Sequence, residues 1–245
     1  MQAVILTGGL GTRLRPVTSS LPKGLVPFNG RPFLEYLLEY LKRFGIRDVL
    51  LCTGYLGKQI EKHFRDGKEL GLRIEYSLEK KPLGTGGALK LAWGRVQDEF
   101  YLLNGDTLLP GDWQRLRELA AKIAADMVLS VVPVSLHVPV GNLRLGTGGR
   151  VTAYSKAAAD ETFGHVDAGV SYVHRRIARY FPEKEIFSLE NEVYPSLVAA
   201  GRLGAMALGE TFYDIGTPEG LLSFGKFIKK QGLSGGELNS QIGPT

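Results

Sequence analysis

The apolar positions in the first 134 residues follow two spacings that alternate along the chain. Short runs of consecutive apolar residues, bounded by glycine or polar residues, are typical of strands buried on both faces of a parallel sheet. Apolar residues three and four positions apart predict helices between them. The predicted strands are 4–6, 48–53, 72–77, 100–103 and 127–134, and the predicted helices are 31–45, 58–64, 84–93 and 113–124. With right-handed crossovers, this order predicts an α/β fold on a doubly wound, mostly parallel, Rossmann-like sheet.

The pattern changes in the second half of the chain. Residues 140–173 combine short apolar runs with more glycine and fewer helical periods, which predicts short strands. Helices return at 188–197, with Ser188 as N-cap, and after Thr217 and Pro218, a cap followed by proline at the first helical position. The tail 232–245 is rich in glycine and polar residues, so we expect it to be mobile.

Composition places the chain among ordinary globular proteins. Apolar residues make up 44% and charged residues 22% of the 245 positions. No apolar run approaches the roughly 20 residues of a membrane span, and the N-terminus lacks a signal-peptide pattern. We therefore expect a cytoplasmic protein without a membrane partner. The single cysteine, Cys52, agrees with a reducing compartment and, within an apolar run, is interpreted as an inert core thiol.

The distribution of positive charge argues against nucleic acid as a partner. The net charge of +5 is modest, and Lys and Arg are scattered among acidic residues instead of forming a basic stripe. The concentrated positive charge lies in the first 23 residues, beside glycines. This placement favours a small phosphorylated ligand.

A glycine-rich loop follows the first predicted strand. Its glycines allow backbone N–H groups to approach an anion closely, because no Cβ intervenes. Three cationic side chains behind them supply the charge that several phosphates require. The glycines are Gly8, Gly9 and Gly11, and the cationic residues are Arg13, Arg15 and Lys23. We interpret the loop as a binding site for a nucleoside triphosphate.

Two better-known glycine loops are excluded. A P-loop requires Gly-Lys-Ser/Thr after its spacer, which does not occur here. A dinucleotide-binding loop requires a third glycine at the position that Leu14 occupies. The remaining alternative is a tight turn with surface arginines, but the added Thr12-Arg13 and Pro22-Lys23 pairs favour the phosphate site.

The motif Gly-Gly-x-Gly-Thr-Arg-Leu-x-Pro, followed by Pro-Lys, resembles the signature of the sugar-1-phosphate nucleotidyltransferases. Later motifs extend the likeness from Gln2 to about Lys230, and it is greatest to bacterial D-glycero-D-manno-heptose 1-phosphate and mannose 1-phosphate guanylyltransferases. The resemblance implies a nucleotidyltransferase fold of the GT-A type with a smaller, β-rich sugar-binding portion. It implies one domain over 1–231, with 1–135 mainly for the nucleotide, 136–215 mainly for the sugar, and a C-terminal helix at 216–231.

The resemblance assigns the nucleobase to the segment 79–89. We expect its glycines to let a flat ring lie against the backbone. The carboxylate of Glu79 offers only acceptors, which suits the two adjacent donors of guanine. This favours GTP, although uridylyl-transferring relatives also carry glutamate in a similar motif. The alternative for Glu79 is a surface residue beside a helix-entry turn. The predicted nucleotide-binding residues are Leu6, Gly8, Gly9, Gly11, Thr12, Arg13, Lys23, Glu79, Gly84 and Thr85.

A second motif, Asn104-Gly105-Asp106, ends the predicted strand 100–103. A hairpin turn is the alternative, but the residues after it do not form a matching strand. Mg²⁺ binds through one or two carboxylates plus substrate phosphates. The resemblance assigns this role to Asp106 and to Asp214 near the C-terminus, which implies Mg²⁺ as the cofactor. The histidines His63, His137, His165 and His174 show no metal-ligand spacing.

The resemblance also indicates which residues contact the sugar phosphate. It implies contacts from Gly141, Lys156, Asp167, Ala168 and Glu190. In this assignment Lys156 offers a positive charge to the phosphate, and Asp167 accepts hydrogen bonds from sugar hydroxyls. The alternatives are solvated loop charges and, for Glu190, a glutamate that complements a helix dipole. Relatives usually have Glu-Lys-Pro at residues 155–157, where this chain has Ser-Lys-Ala, and Asn at the position of Asp167. Both departures bear on which sugar is accepted.

The resulting prediction is an enzyme that transfers a nucleoside monophosphate to a sugar 1-phosphate and releases pyrophosphate. Its catalytic residues would be Arg13, Lys23 and Asp106, and its partners the nucleoside triphosphate and the sugar 1-phosphate. One alternative is a UTP- or dTTP-dependent enzyme for another hexose, an amino sugar or muramic acid 1-phosphate. A second is a non-catalytic, nucleotide-sensing regulatory subunit, which is less favoured because the four phosphate- and metal-handling residues are present. The family often forms dimers or tetramers, so the resemblance allows a homo-oligomer, while the sequence itself does not indicate the oligomeric state.

Overall fold

The structure is a computed structural model that describes residues 1–14, 17–134, 140–156, 163–209 and 211–230. Three positions considered above, Arg15, His137 and Ala157, and the tail 232–245 lie outside these ranges. The predictions made for them therefore remain predictions.

The described chain alternates strands and helices over its first half and places most remaining strands before its last two helices. The helices are α1 (Phe33–Arg43), α2 (Gly57–Phe64), α3 (Gly84–Ala92), α4 (Gln114–Ile123), α5 (Tyr194–Ala199) and α6 (Pro218–Lys230). The strands are β1 (Gln2–Thr7), β2 (Pro27–Phe28), β3 (Arg31–Pro32), β4 (Asp48–Thr53), β5 (Arg73–Leu78), β6 (Glu99–Asn104), β7 (Thr107–Leu108), β8 (Met127–Pro133), β9 (Leu143–Leu145), β10 (Val151–Tyr154), β11 (His165–His174), β12 (Leu203–Ala207) and β13 (Tyr213–Asp214).

One nine-stranded sheet organises the fold. Its main row has the order β5-β4-β1-β6-β11-β8-β12, and β9 and β10 extend it from one end of β11. Strands β5, β4, β1 and β6 are parallel, with Ile5 opposite Leu51 on one side and Leu103 on the other. Strand β11 runs antiparallel to both of its neighbours in this row. The predicted α/β class with a mostly parallel sheet is confirmed.

Both faces of the sheet are covered by helices, as predicted for a doubly wound fold. Successive side chains of a strand point to opposite faces, so Ala3 and Ile5 join one buried cluster while Val4 joins the other. The first cluster packs under α1, α4 and α6, and the second under α3 and α5. Cys52 is a buried residue of the second cluster, and burial raises the pKa of its thiol to about 12. This agrees with the predicted core thiol.

The helix predicted at 188–197 begins differently. It starts as a π-helical turn, Leu189–Val193, and continues as α5. The predicted cap is confirmed, because the Ser188 hydroxyl oxygen accepts a hydrogen bond of 3.2 Å from the Asn191 N–H. Such π-helical turns are frequent at functional sites.

Helix α6 anchors the last strand against the first half of the chain. Phe224 is fully buried and makes edge-to-face contacts with Phe28, Phe33 and Tyr36. The Thr217 hydroxyl caps the helix by accepting the Gly220 N–H at 3.1 Å, as predicted. Among the described helices, none is long and apolar enough to cross a membrane.

Candidate active site

The carboxyl ends of the parallel strands border a cavity of about 440 Å³. Ligands of open α/β sheets bind at this edge, because loops from several strands meet there. Predicted site residues from distant parts of the chain line it together: Leu6, Gly8, Gly9, Gly11, Thr12, Arg13, Lys23, Glu79, Gly84, Thr85, Asp106, Lys156 and Glu190. The structure therefore brings the predicted nucleotide and sugar residues into one space.

Four predicted residues are not part of this lining. Asp214 flanks it, 3.7 Å from the ammonium of Lys23. Asp167 lies half-buried behind it, and Ala168 is buried in the sheet. Gly141 packs against the backbone of Phe163, where a Cβ would lie 2.0 Å from the carbonyl oxygen. Close packing therefore accounts for glycine at position 141.

The glycine loop is held by a threonine that the sequence analysis did not single out. Gly11 has a φ of +60°, a conformation that glycine adopts without steric cost. Its carbonyl oxygen accepts a hydrogen bond of 2.7 Å from the buried Thr18 hydroxyl and one of 3.0 Å from the Leu14 N–H. The loop is thus fixed from behind while Gly8, Gly9 and Gly11 line the cavity.

Arg13, Lys23 and both aspartates meet around Gly216. The ammonium of Lys23 lies 2.5 Å from Oδ2 of Asp106 and 3.7 Å from Oδ1 of Asp214. A Cβ at Gly216 would lie 2.6 Å from Nζ of Lys23 and 2.8 Å from Nη2 of Arg13. A side chain at position 216 would therefore displace these charged groups from their present positions. Gly216 was missed in the sequence, where its signal was a glycine two positions after Asp214.

A short strand pair places the two aspartates side by side, although they are 108 positions apart in the sequence. Strand β13 pairs antiparallel with β7, with Asp214 opposite Thr107. The Ile215 N–H donates to the carbonyl oxygen of Asp106 at 2.9 Å. The two carboxylates are consequently held by backbone pairing, which gives them a defined separation.

The donor chemistry of this pair fits Mg²⁺. The carboxylate oxygens are hard ligands that converge on one positive group, Lys23. Within the described ranges, no His, Cys, Asp or Glu completes a group of three. Mg²⁺ retains several waters and is bound through one or two carboxylates plus substrate phosphates. A pair of aspartates beside the glycine loop, which is predicted to bind phosphates, matches that requirement.

At the opposite end of the loop, Glu79 lies against two glycines. A Cβ at Gly8 would lie 2.7 Å, and one at Gly54 2.5 Å, from Oε1 of Glu79. The other oxygen, Oε2, accepts the Leu83 N–H at 3.1 Å. Burial raises the pKa of this carboxyl group, and the Leu83 hydrogen bond only partly offsets the effect. A ligand that donates two adjacent N–H groups would stabilise the ionised form.

Gly86 and Gly87, in the segment assigned to the base, pack against residues 185–187. A Cβ at Gly86 would lie 2.2 Å from the Phe187 ring, and one at Gly87 would lie 2.3 Å from the Glu185 carbonyl oxygen. The Gly86 N–H donates to the carbonyl oxygen of Phe187 at 3.0 Å. These two glycines allow α3 to pack tightly against the segment before Leu189. The expectation that a flat ring lies against the backbone of this segment stays a prediction. Gly84 and Thr85 face the cavity.

The carboxylate of Glu190, which is predicted to contact the sugar, is held by three donors. Its Oε2 accepts hydrogen bonds of 2.6 Å from both the Thr85 and Ser188 hydroxyls, and the Lys156 ammonium lies 3.5 Å away. Burial acts to raise the pKa of Glu190, but the two hydroxyl donors and Lys156 outweigh it and lower the pKa below its ordinary value. Glu190 is therefore a preorganised carboxylate.

The carboxylate of Asp167, the second one predicted to contact the sugar, has a different environment. Its N–H donates to Oδ1 of Asn142 at 3.0 Å, and its own Oδ1 accepts the Gly169 N–H at 2.9 Å, where β11 shifts register. Burial raises the pKa of Asp167 to about 6, the nearby Glu190 adds to the rise, and Gly169 and Lys156 oppose it. Asp167 thus titrates near neutral pH.

Two further groups of residues at the site had no predicted role. Asn104 lines the cavity at the end of β6, beside Asp106, and its position in the Asn-Gly-Asp motif was the available signal. Tyr154 and Tyr194 pack edge to face at 4.9 Å, and burial followed by the charges of Asp167 and Glu190 raises their pKa values. No local pattern marked this tyrosine pair.

Comparison with known proteins agrees with this geometry. Residues 2–231 match the family model described as nucleotidyl transferase. The chain is 36% identical, over 91% of its length and 98% of the relative's, to D-glycero-alpha-D-manno-heptose 1-phosphate guanylyltransferase of Campylobacter jejuni. It is also 36% identical, over 89% of its length, to mannose-1-phosphate guanylyltransferase of Mycobacterium tuberculosis, of which it covers 62%.

A solved structure extends the likeness to three dimensions. HddC from Yersinia pseudotuberculosis, complexed with GMP-PN, has a TM-score of 0.78 and 29% sequence identity, over 93% of this chain and 99% of that one. The predicted resemblance to sugar-1-phosphate nucleotidyltransferases is confirmed. Because the family match spans nearly all of the sequence, and the matched elements build the cavity described above, the chain belongs to the nucleotidyl transferase family of enzymes.

Proposed function

We propose that the protein transfers GMP from GTP to heptose 1-phosphate or mannose 1-phosphate, with Mg²⁺, and so forms a GDP-sugar and pyrophosphate. The observation that carries the proposal is that a single cavity gathers both predicted groups of residues. It is lined by Arg13, Lys23 and Asp106, with Asp214 beside Lys23, and also by Lys156 and Glu190. A volume of about 440 Å³ falls in the range of small-molecule sites. The named activities of the relatives support this choice of substrates.

The chemistry requires alignment and charge neutralisation. An oxygen of the sugar phosphate, already anionic, attacks the α-phosphorus of GTP, and the bond from that phosphorus to the pyrophosphate oxygen breaks. No general base is needed, because the attacking oxygen carries no proton. Arg13 and Lys23 neutralise charge on the triphosphate and on the departing pyrophosphate. Lys156 orients the attacking phosphate and Glu190 accepts hydrogen bonds from sugar hydroxyls.

Asp106 and Asp214 would hold the metal ion. When bound, Mg²⁺ supplies positive charge to the phosphate oxygens. The ammonium of Lys23 lies against both carboxylates and offsets part of their negative charge. The assignment of 1–135 to the nucleotide and 136–215 to the sugar, the homo-oligomer and the cytoplasmic location stay predictions.

We expect pyrophosphate release to be fastest with GTP combined with heptose 1-phosphate or mannose 1-phosphate. The test measures kcat/KM for five nucleoside triphosphates against a panel of sugar 1-phosphates. Because Glu79 offers only acceptors to the base, GTP should exceed UTP and dTTP by at least roughly tenfold. The Glu79→Gln variant keeps the size of the side chain and should reduce this preference. Faster release with UTP or dTTP would instead establish the alternative donor.

The raised pKa of Asp167 predicts a pH dependence of sugar use. If the ionised carboxylate accepts hydrogen bonds from sugar hydroxyls, kcat/KM for the sugar 1-phosphate should rise as the pH increases through about 6. The sugar phosphate titrates in the same range, so the Asp167→Asn variant serves as the matched control. We expect the ratio of wild-type to variant kcat/KM to rise between pH 5 and pH 7; a constant ratio would contradict the assignment.

The same group predicts a change in stability that needs no substrate. Burial makes the pKa of Asp167 in the folded protein, about 6, higher than its ordinary value of 3.8. Its contribution to stability is therefore present below the ordinary value and is lost as the pH rises through about 6. The unfolding temperature of the wild type should fall relative to that of Asp167→Asn over this interval. The charged groups facing Asp167 are Glu190 and Lys156, with Tyr154 and Tyr194 beside them.

A further inference from the structure

The hydroxyls and the ammonium around Glu190 gather at one of its two oxygens. Thr85 and Ser188 both donate to Oε2 at 2.6 Å, and Lys156 approaches the same atom. Since these groups leave Oε1 to other donors, the carboxylate is fixed on one side and can bind a ligand on the other. The side chain is only 15% exposed, so its orientation depends on these contacts.

The direction of each hydroxyl is set by the backbone. The Thr85 hydroxyl oxygen accepts the Leu189 N–H at 2.9 Å, and the Ser188 hydroxyl oxygen accepts the Asn191 N–H at 3.2 Å. A hydroxyl has one proton to donate. With an incoming N–H at the oxygen, that proton points to Oε2 of Glu190 in both cases.

Thr85 lies in the part of the sequence that is predicted to bind the nucleotide. It is the second residue of α3, which follows the loop from Glu79 to Leu83, and its hydrogen bonds lead to the π-helical turn at Leu189–Val193. The close packing of Gly86 and Gly87 against residues 185–187 joins α3 to that turn. The start of α3 and the turn that carries Glu190 are thus locked together.

We propose that Thr85, predicted from the sequence to bind the nucleotide, is a positioning residue that fixes Glu190 for the sugar. The inference rests on the proposed function and deepens it, because it makes the helix after the base-binding segment part of the sugar site. Thr85 spans 105 positions to reach Glu190. The single proton of its hydroxyl is donated to Glu190, so it has no second proton to offer a nucleotide.

The experiment compares Thr85→Val, which keeps the shape and removes the hydroxyl, with Thr85→Ser, which keeps the hydroxyl. For Thr85→Val we expect the KM for the sugar 1-phosphate to rise roughly 10-fold or more, as for a lost hydrogen bond to a charged group. The KM for GTP should change less than about threefold. Thr85→Ser should restore the sugar KM. Ser188→Ala, which removes the other donor to Oε2, should raise the sugar KM as Thr85→Val does.

Several outcomes would overturn the inference. A rise in the KM for GTP with an unchanged sugar KM would make Thr85 a nucleotide contact. Equal rises in both constants without rescue by Thr85→Ser would indicate a purely structural role. If Thr85→Val does not fold, Ser188→Ala decides. A normal KM for the sugar 1-phosphate in that variant would reject the positioning of Glu190 by these hydroxyls, and a raised KM would support it. Failure of the proposed function is distinguishable, because the wild type would then not turn over GTP with heptose 1-phosphate or mannose 1-phosphate.

Discussion

Replacing Lys23 with methionine is expected to lower kcat by roughly 100-fold or more, the size of effect seen when one preorganised charge-stabilising group is removed. The Lys23 side chain is 14% exposed and its ammonium contacts both metal-site carboxylates. During transfer, negative charge grows on the leaving pyrophosphate, and few groups at the predicted phosphate site can offset it. Methionine preserves much of the side-chain volume, so the fold should survive.

The measurement is steady-state pyrophosphate release at saturating GTP, sugar 1-phosphate and Mg²⁺. Lys58→Met is the matched control, because Lys58 is exposed on α2 away from the cavity. A second measurement separates lost catalysis from lost folding. Without the ammonium between them, Asp106 and Asp214 should bind Mn²⁺ more tightly in the nucleotide-free protein. Near-normal turnover by Lys23→Met would contradict the role assigned to this residue.

Replacing Asp106 with asparagine is expected to lower activity by roughly two orders of magnitude, and Asp214→Asn should have an effect of the same kind. Each substitution removes one anionic ligand from a pair that the β7–β13 pairing places side by side. Mg²⁺ prefers charged oxygen ligands. The concentration of Mg²⁺ needed for half-maximal activity should therefore rise in both variants.

Asp98→Asn provides the control, since Asp98 is exposed at the opposite end of β6. Titrating Mg²⁺ at fixed GTP distinguishes weaker metal binding from general damage to the enzyme. The assignment of the metal site fails if both Asp106→Asn and Asp214→Asn keep the wild-type Mg²⁺ dependence. If only one changes it, the metal is held by that residue alone.

The fold and the phosphate-site residues were predictable because they depend on local patterns. Apolar runs and glycines marked β1 and β6, and the carboxyl ends of parallel strands necessarily meet at one edge. Arg13, Lys23 and Asp106 follow such ends or their loops. Their meeting in one cavity therefore followed from the order of the elements.

The remaining features depend on pairings that leave no local signal. Nothing in the sequence around Thr85 indicates that its hydroxyl reaches Glu190, because that contact joins residues 105 positions apart. Gly86 and Gly87 belong to the segment assigned to the base, and nothing in the sequence shows that they also pack against residues 185–187. The register shift in β11, which places Asp167, also arises only when the strand meets β8.

The pairing of β7 with β13 has a consequence for the order in which the protein becomes active during translation. Asp106 leaves the ribosome well before Asp214, and synthesis proceeds at about 5–20 residues per second. For several seconds a nascent chain carries the nucleotide loop and one carboxylate but lacks the strand that brings the other. Under the proposed function, a polypeptide released before β13 lacks the second carboxylate, and we expect its activity to be as low as that of Asp214→Asn or lower.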